Sequence, residues 1–389
     1  MRRRVCIISF SPIERDARVL RQIEYLSPHF DLCVIGYGPL TAPWPGIDWR
    51  RVQLESSVRT RLTGLLLMAL GRLLPVLYDR WYWAKAHHRR ALQYALDCRC
   101  DLYHANDWNA LPVAAEAASS NGAKLVLDAH EYAPMEFYER LHWRLFYRPL
   151  VVRVLKRYGP KLDASTTVAP AIAERYKREF GFKPVAVLNA PKLVPVQKHP
   201  VDPENIRLVY HGGASPDRKL ERMIDTMAKT DSRYSLHFIM VDQESHYVRS
   251  LKERSARLAP DRIHFHPPVP PSQIVQRIAE YDIGFYLLEP SNYNNSVALP
   301  NKFFDFIAAG LAVLIGPSPG MADLVTEYGF GCVTKSFSSD EAAALLNSFT
   351  QGEIELLREA SERAAQQFNA DTEMAKLVDL YYTLLPERN

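Results

Sequence analysis

The sequence predicts an α/β protein of two Rossmann-like domains, each built on a parallel sheet. Three observations predict it. Short β-branched runs alternate with amphipathic stretches along the whole chain. The runs are apolar throughout, as strands covered on both faces are, instead of alternating. The 389 residues divide near the middle at a proline-rich stretch, leaving two pieces of ordinary domain size.

In the first half, strands are expected at Val5–Phe10, Leu32–Gly36, Leu102–His104, Lys124–Asp128, Ala164–Val168 and Val185–Leu188. Helices Ala17–Leu26, Leu111–Asn121 and Ala171–Phe180 are interspersed with them. The stretch NAPKLVPVQKHPVDPEN then carries four prolines and no period, so it is expected to be a linker. In the second half the strands are Leu208–His211, Ser235–Met240, Ile263–His266, Ile283–Leu287 and Ala312–Ile315. Helices Lys219–Lys229, Tyr247–Leu258, Ser272–Ala279, Asn301–Ala309 and Asp340–Phe349 separate or follow them. Repeated β-α-β of this kind is the pattern of doubly wound sheets. The expected domains are 1–195 and 196–370, with 371–389 as a last helix that crosses back to the first domain.

Composition narrows the class. Hydrophobic residues at 47% and charged residues at 24% exclude collagenous, coiled-coil and wholly disordered chains. Five cysteines, Cys6, Cys33, Cys98, Cys100 and Cys332, form no framework, which points to a reducing compartment and a cytoplasmic location. The run Val5–Phe10 is too short for the apolar region of a signal peptide and is expected to be a first buried strand. No apolar run is long enough to span a membrane. Net charge is +12 over residues 1–200 and −8 over 201–389, so the first half suits an anionic partner. No nucleic-acid recognition motif accompanies that charge. Dinucleotide-binding, Walker A, G-x-S-x-G and H-E-x-x-H motifs are also absent from the sequence.

The chemistry concentrates in two pieces of the second half. Tyr210-His211-Gly212-Gly213 ends a strand, and Arg218 and Lys219 follow at the start of the next helix. Paired glycines admit close backbone approach, and a helix N-terminus with cations beside it suits an anion. The second piece runs from Leu299 and Pro300 to Gly310, with Lys302 in the first helical turn and Asp305 three residues on. A cation opposes the helix dipole at that position, and a bound phosphate supplies the reason for it. Asp305 can share the Lys302 face and meet a ribose diol.

Together these pieces resemble the family 4 glycosyltransferases, whose GT-B fold sets two Rossmann-like domains across a cleft. Other segments extend the resemblance along nearly the whole chain. They are Arg15-Asp16-Ala17-Arg18, Tyr103-His104-Ala105-Asn106-Asp107, Leu127-Asp128-Ala129-His130-Glu131, and the stretch from Gly316 to Gly331. The resemblance implies a retaining transferase that uses a nucleotide-diphosphate sugar as donor and no other cofactor. Arg218 and Lys302 are then expected to hold the diphosphate and Asp305 the ribose. Gly212, Gly213 and the backbone near Leu299 are expected to line the donor. His130, as a neutral imidazole, is expected to reach the donor sugar from the first domain. One departure is that Val297 stands where many members carry a glutamate.

No carboxylate cluster ends a strand, so metal-independent chemistry is expected, with cations neutralising the leaving diphosphate. His87-His88 is expected to be solvated. Residues 59–90 hold seven Lys and Arg against one acid, Asp79, among leucines, tryptophans and tyrosines. That segment is either an interfacial patch for an anionic membrane or helices packed on the core. Family members often use glycan or lipid-linked acceptors of the cell envelope, so peripheral attachment to the inner face of the membrane is an expectation. A same-fold epimerase or hydrolase, or a catalytically silent partner subunit, are the alternatives.

Overall fold

The computed structural model describes residues 2–38, 44–54, 64, 67–241 and 243–386. Two compact units form: Met1–Val187 together with Met374–Asn389, and Leu188–Glu373. The first unit holds β1 (Arg4–Pro12), β2 (Asp31–Tyr37), β3 (Asp48–Arg51), β4 (Leu102–Asn106), β5 (Lys124–Ala129), β6 (Ala164–Thr167) and β7 (Val185–Ala186). They lie in the order β3-β2-β1-β4-β5-β6-β7. The second unit holds β8 (Ile206–Gly212), β9 (Tyr234–Met240), β10 (Ile263–His266), β11 (Ile283–Tyr286), β12 (Ala312–Ile315) and β13 (Gly331–Val333). Their order is β10-β9-β8-β11-β12-β13. Every neighbouring pair is parallel. Both sheets therefore reverse direction of winding once, between β1 and β4 and between β8 and β11. The carboxyl ends of strands at such a reversal are where doubly wound folds place ligands.

The central strands are apolar because helices cover both faces: Val5, Cys6, Ile7 and Ile8 of β1 are fully buried. Asp16 starts the helix Ala17–Leu26 by accepting from the Val19 amide at 3.1 Å, and Ser11 donates to the same carboxylate at 2.6 Å. The last helix, Ala370–Leu384, lays Met374, Leu377, Val378 and Tyr381 on a core that includes Val5, Ile7, Leu32 and Val34. The unit boundary falls at Val187, short of the expected 195. The Leu188 amide donates to Glu373 at 2.8 Å and the Ala370 amide to the Pro191 carbonyl at 2.8 Å, so the start of the linker travels with the second unit.

Several expectations need correction. Strands β3 and β13 and the helices Ala86–Cys98, Arg148–Tyr158, Pro319–Tyr328 and Gln351–Ala365 were not foreseen. β3 reads Asp-Trp-Arg-Arg and sits at a sheet edge, where no continuous apolar run is needed. His88 is buried, not solvated: its ring stacks on Phe10 with centroids 4.7 Å apart and its Nδ1 lies 3.0 Å from the Tyr82 carbonyl. Burial, then Lys85 and His87, push it down to about 2, so it stays neutral. Cys33 and Cys98 are joined in a disulfide, although the sequence showed no framework. Cys33 lies on β2 opposite Asp48 of β3, and the helix ending at Cys98 packs against β2. Of residues 59–90, positions 59–63, 65 and 66, with Arg59 and Arg61 among them, lie outside the described residues. The rest divides between the two readings. Tyr78, Trp81 and Tyr82 are buried, whereas Leu70, Leu73, Leu74 and Val76 are exposed.

Candidate functional site

In the second unit the residues singled out in the sequence converge at the β8 reversal. β8 delivers Tyr210, His211 and Gly212 at its carboxyl end. Pro300 starts the helix Asn301–Ala308, whose first turn carries Lys302 back to the same point. The Lys302 ammonium donates to the Tyr210 hydroxyl at 2.9 Å. It lies 4.2 Å from the Tyr210 ring centre and 4.5 Å from that of Tyr286. Arg218 reaches the same hydroxyl at 3.2 Å and the Gly213 carbonyl at 3.2 Å. The Tyr210 hydroxyl donates to the Gly213 carbonyl at 3.0 Å, closing the loop after the strand.

The electrostatics are unusual for a lysine. Lys302 is only 5% exposed, and among the described residues no carboxylate lies in ion-pair range of its ammonium. Burial, and then Arg218, push it well below the ordinary lysine range, with Asp305 opposing from farther away. Asp305 instead lies 3.3 Å from His211 Nε2. Burial, then Lys302, push His211 down to about 3, so it is neutral. Gly212 has φ of 108°, and a Cβ there would stand 3.5 Å from the Lys302 ammonium. Only glycine suits that backbone and leaves the space beside the cation open. Lys219 is turned aside to Glu289, which Arg222 also meets at 2.7 Å. Leu299 is buried beside the helix start, and Val297 is nearly so. Gly320 lets the following helix come so close that a Cβ would stand 2.8 Å from the Val297 carbonyl.

Tyr210 and Tyr286, which wrap Lys302 in aromatic faces, were not selected as site residues from the sequence. A tyrosine two residues ahead of a glycine pair at a strand end was the available signal for Tyr210. Tyr286, on β11, is three strands on in sequence order and only the sheet brings it in.

In the first unit, His130 follows β5. Its Nδ1 lies 3.2 Å from Asp107, and its Nε2 lies 3.0 Å from Asn106 and 3.3 Å from Asp128. Burial alone would lower its pKa, but Asp107 and Asp128 outweigh it and push it up to about 9. His130 is therefore an imidazolium, not the neutral ring expected from sequence. Asp128 is fully buried. It receives two bonds of 2.6 Å from Arg18, one of 2.7 Å from Gln22 and one of 2.7 Å from Thr166. Asp107 holds a φ of 64°, a strained value for a residue with a side chain, and also accepts from the His130 amide at 2.9 Å. Among the described residues, the side chains spaced as metal ligands are Cys33, Asp48 and Cys98. Two of these are bonded to each other, and Arg50 pairs with the third at 3.0 Å.

Comparison with known proteins matches this architecture. Residues 56–190 fit the model of Glycosyltransferase Family 4, and residues 195–367 fit that of Glycosyl transferases group 1. The chain is a family 4-like GT-B glycosyltransferase. Solved structures share the fold of this glycosyltransferase over nearly its full length. HepE of Anabaena in complex with UDP superposes with TM-score 0.72 at 17% identity, covering 99% of this chain and 100% of that one. Sucrose-phosphate synthase of Thermosynechococcus elongatus superposes with TM-score 0.72 at 13% identity, covering 98% and 99%. No curated protein sequence matches the chain. No helix among the described residues is long and apolar enough to cross a membrane.

Proposed function

We propose that this glycosyltransferase takes its sugar from a nucleoside-diphosphate sugar held by the second unit. The sugar passes to a glycan or lipid-linked acceptor in cell-envelope polysaccharide or glycoconjugate synthesis. The observation that carries the donor is Lys302. Burial and a neighbouring guanidinium disfavour the charge on this ammonium, and an anion arriving beside it favours that charge again. A diphosphate between Lys302 and Arg218 meets that need, and the open backbone at Gly212 and Gly213 admits it. The backbone near Leu299 lines the same site. Asp305, beside neutral His211, takes the ribose hydroxyls. That HepE crystals hold UDP and UDP-glucose supports a UDP-sugar as the first donor to try.

In transfer, the bond from the anomeric carbon to the diphosphate oxygen breaks and its electron pair leaves with the diphosphate. Lys302 and Arg218 stabilise that charge as it develops, so no divalent ion is required. The acceptor oxygen bonds to the anomeric carbon as its hydroxyl proton passes to the departing diphosphate, with retention inferred from the family resemblance. The first unit contributes His130, which as an imidazolium acts as a cation and hydrogen-bond donor and not as the base. The exposed leucines and arginines of the first unit support work at an anionic membrane surface.

A thermal-shift panel of UDP-, GDP-, ADP- and dTDP-sugars with EDTA present tests the donor reading. At least one nucleotide sugar is expected to raise the melting temperature of wild type and to leave Lys302→Met unmoved. No shift with any of them refutes the reading, and a shift that requires magnesium or manganese refutes metal independence.

A further inference from the structure

We infer that the groove between helices Val76–Ala84 and Arg148–Tyr158 of the first unit seats the phosphate headgroup of an anionic membrane lipid. The groove has a volume of about 690 Å³ and is lined by Gly71, Arg72, Tyr78, Arg153, Lys156 and Arg157, among others. The inference rests on the membrane reading above and gives that surface a specific ligand site.

Its charge is in excess. Asp79 is the acid beside the groove, and it is shared by Arg153 at 2.7 Å and Arg157 at 2.8 Å. Among the described residues Arg72 and Lys156 have no ion-pair partner. One carboxylate therefore stands against four cations, and a phosphate restores the balance.

The wall supplies a second signal. Tyr78 is 2% exposed, and among the described residues its hydroxyl has no hydrogen-bond partner. Gly71 holds the ring in place, since a Cβ there would stand 2.7 Å from it. A buried hydroxyl without an acceptor is costly and calls for one. Burial raises the Tyr78 pKa, which keeps the hydroxyl protonated as a donor. A phosphate oxygen is the acceptor that both the hydroxyl and the guanidiniums fit.

The lipid source follows from the groove's rim. Leu70, Leu73, Leu74 and Val76 belong to the same stretch of chain as Gly71, Arg72 and Pro75, and they are 41%, 80%, 59% and 54% exposed. A soluble phosphate gives such side chains nothing to bury in. A bilayer takes them into its acyl boundary at the depth where cations meet headgroups.

Co-sedimentation of the full chain with vesicles tests this, using phosphatidylcholine alone and phosphatidylcholine mixed with phosphatidylglycerol. Wild type is expected on the mixed vesicles and not on the neutral ones. Arg72→Gln with Lys156→Gln is expected to weaken binding about thirtyfold, at roughly fivefold per cation. Tyr78→Phe keeps the ring and removes only the hydroxyl, so it is expected to weaken binding severalfold with an unchanged melting temperature. Leu73→Ser with Leu74→Ser is expected to release the protein while its response to nucleotide sugars persists. If wild type binds the mixed vesicles and both the Tyr78→Phe and the double charge variant bind equally well, the groove is refuted and the membrane reading stands. Failure of wild type to bind either vesicle refutes both. Stabilisation by inorganic phosphate that is lost in Tyr78→Phe, without vesicle binding, refutes the lipid as source.

Discussion

The two sheets wind in the same order, yet their reversal points are completed differently. In the first unit the buried charges close on one another: Arg18 grips Asp128, and Asp128 and Asp107 hold the His130 imidazolium. In the second unit Lys302 and Arg218 meet at a tyrosine hydroxyl, which neutralises neither. Topology marks both places as ligand crevices. The state of the charges separates a place where the ionised groups meet their opposites from one where, among the described residues, two cations lack a carboxylate. The difference teaches that a buried cation without a carboxylate is a stronger pointer to a ligand than the fold order alone.

The comparison breaks first, and by most, at Asp128. Asp128→Ala leaves Arg18 buried without its counter-charge, so stability is expected to fall by about 3–5 kcal/mol. Lys302→Met removes a desolvated cation that has no carboxylate partner, and is expected to leave the apo protein at least as stable as wild type. Urea midpoints of the two variants decide the matter, and equal losses dissolve the contrast.

The units should also titrate with opposite signs. His130 is raised from 6.5 to about 9, so its contribution is complete below pH 6.5 and is lost as pH rises through 9. At about 1.4 kcal/mol per pKa unit that is roughly 3 kcal/mol. His211 is lowered to about 3, so stability is complete above pH 6.5 and is lost as pH falls towards 3. Urea midpoints across that range, for wild type, His130→Gln and His211→Gln, measure this. The advantage of wild type over His130→Gln should shrink with alkali, and that over His211→Gln with acid.

The donor site sharpens the contrast further. Lys302→Met and Arg218→Ala each remove a charge-assisted contact of about 1.5–3 kcal/mol, expected as a roughly ten- to hundredfold loss of nucleotide-sugar affinity by calorimetry. Turnover should fall with it. Near-wild-type affinity in both variants means the diphosphate sits elsewhere. The smallest effect is expected from Tyr210→Phe, which removes the hydroxyl that aligns both cations. A loss of about 1 kcal/mol in affinity fits a neutral positioning group. A loss as large as that of Lys302→Met makes the hydroxyl itself a ligand contact.

Much of the proposed donor site was legible because it is local. Gly212, Gly213 and Arg218 lie within one strand–turn, and Lys302 and Asp305 within one helical turn. A cation in a first turn, where the helix dipole opposes it, carries its own demand for explanation. The aromatic faces of Tyr210 and Tyr286 around Lys302 were not legible, since one comes from β8 and the other from β11, joined only by pairing in the sheet. His130 was legible as a candidate from its motif but not as a cation. Its charge depends on Asp107, which starts the helix after β4, and on Asp128 two residues back, at distances that the chain folding decides.

By itself the sequence determined the two α/β units and most of their strands, because continuous apolar runs can only be covered from both faces. It also singled out the short motifs proposed to hold the donor, since glycine pairs, helix starts and i, i+3 spacing act over a few residues. Tertiary structure alone decided protonation and exposure. Within residues 59–90 the same composition yields buried Tyr78 and exposed Leu73, and nothing local distinguishes them. The Lys302 pKa is pushed down and that of His130 up for the same reason: burial penalises a lone charge and rewards one that meets its opposite, and only the folded chain brings the opposite near.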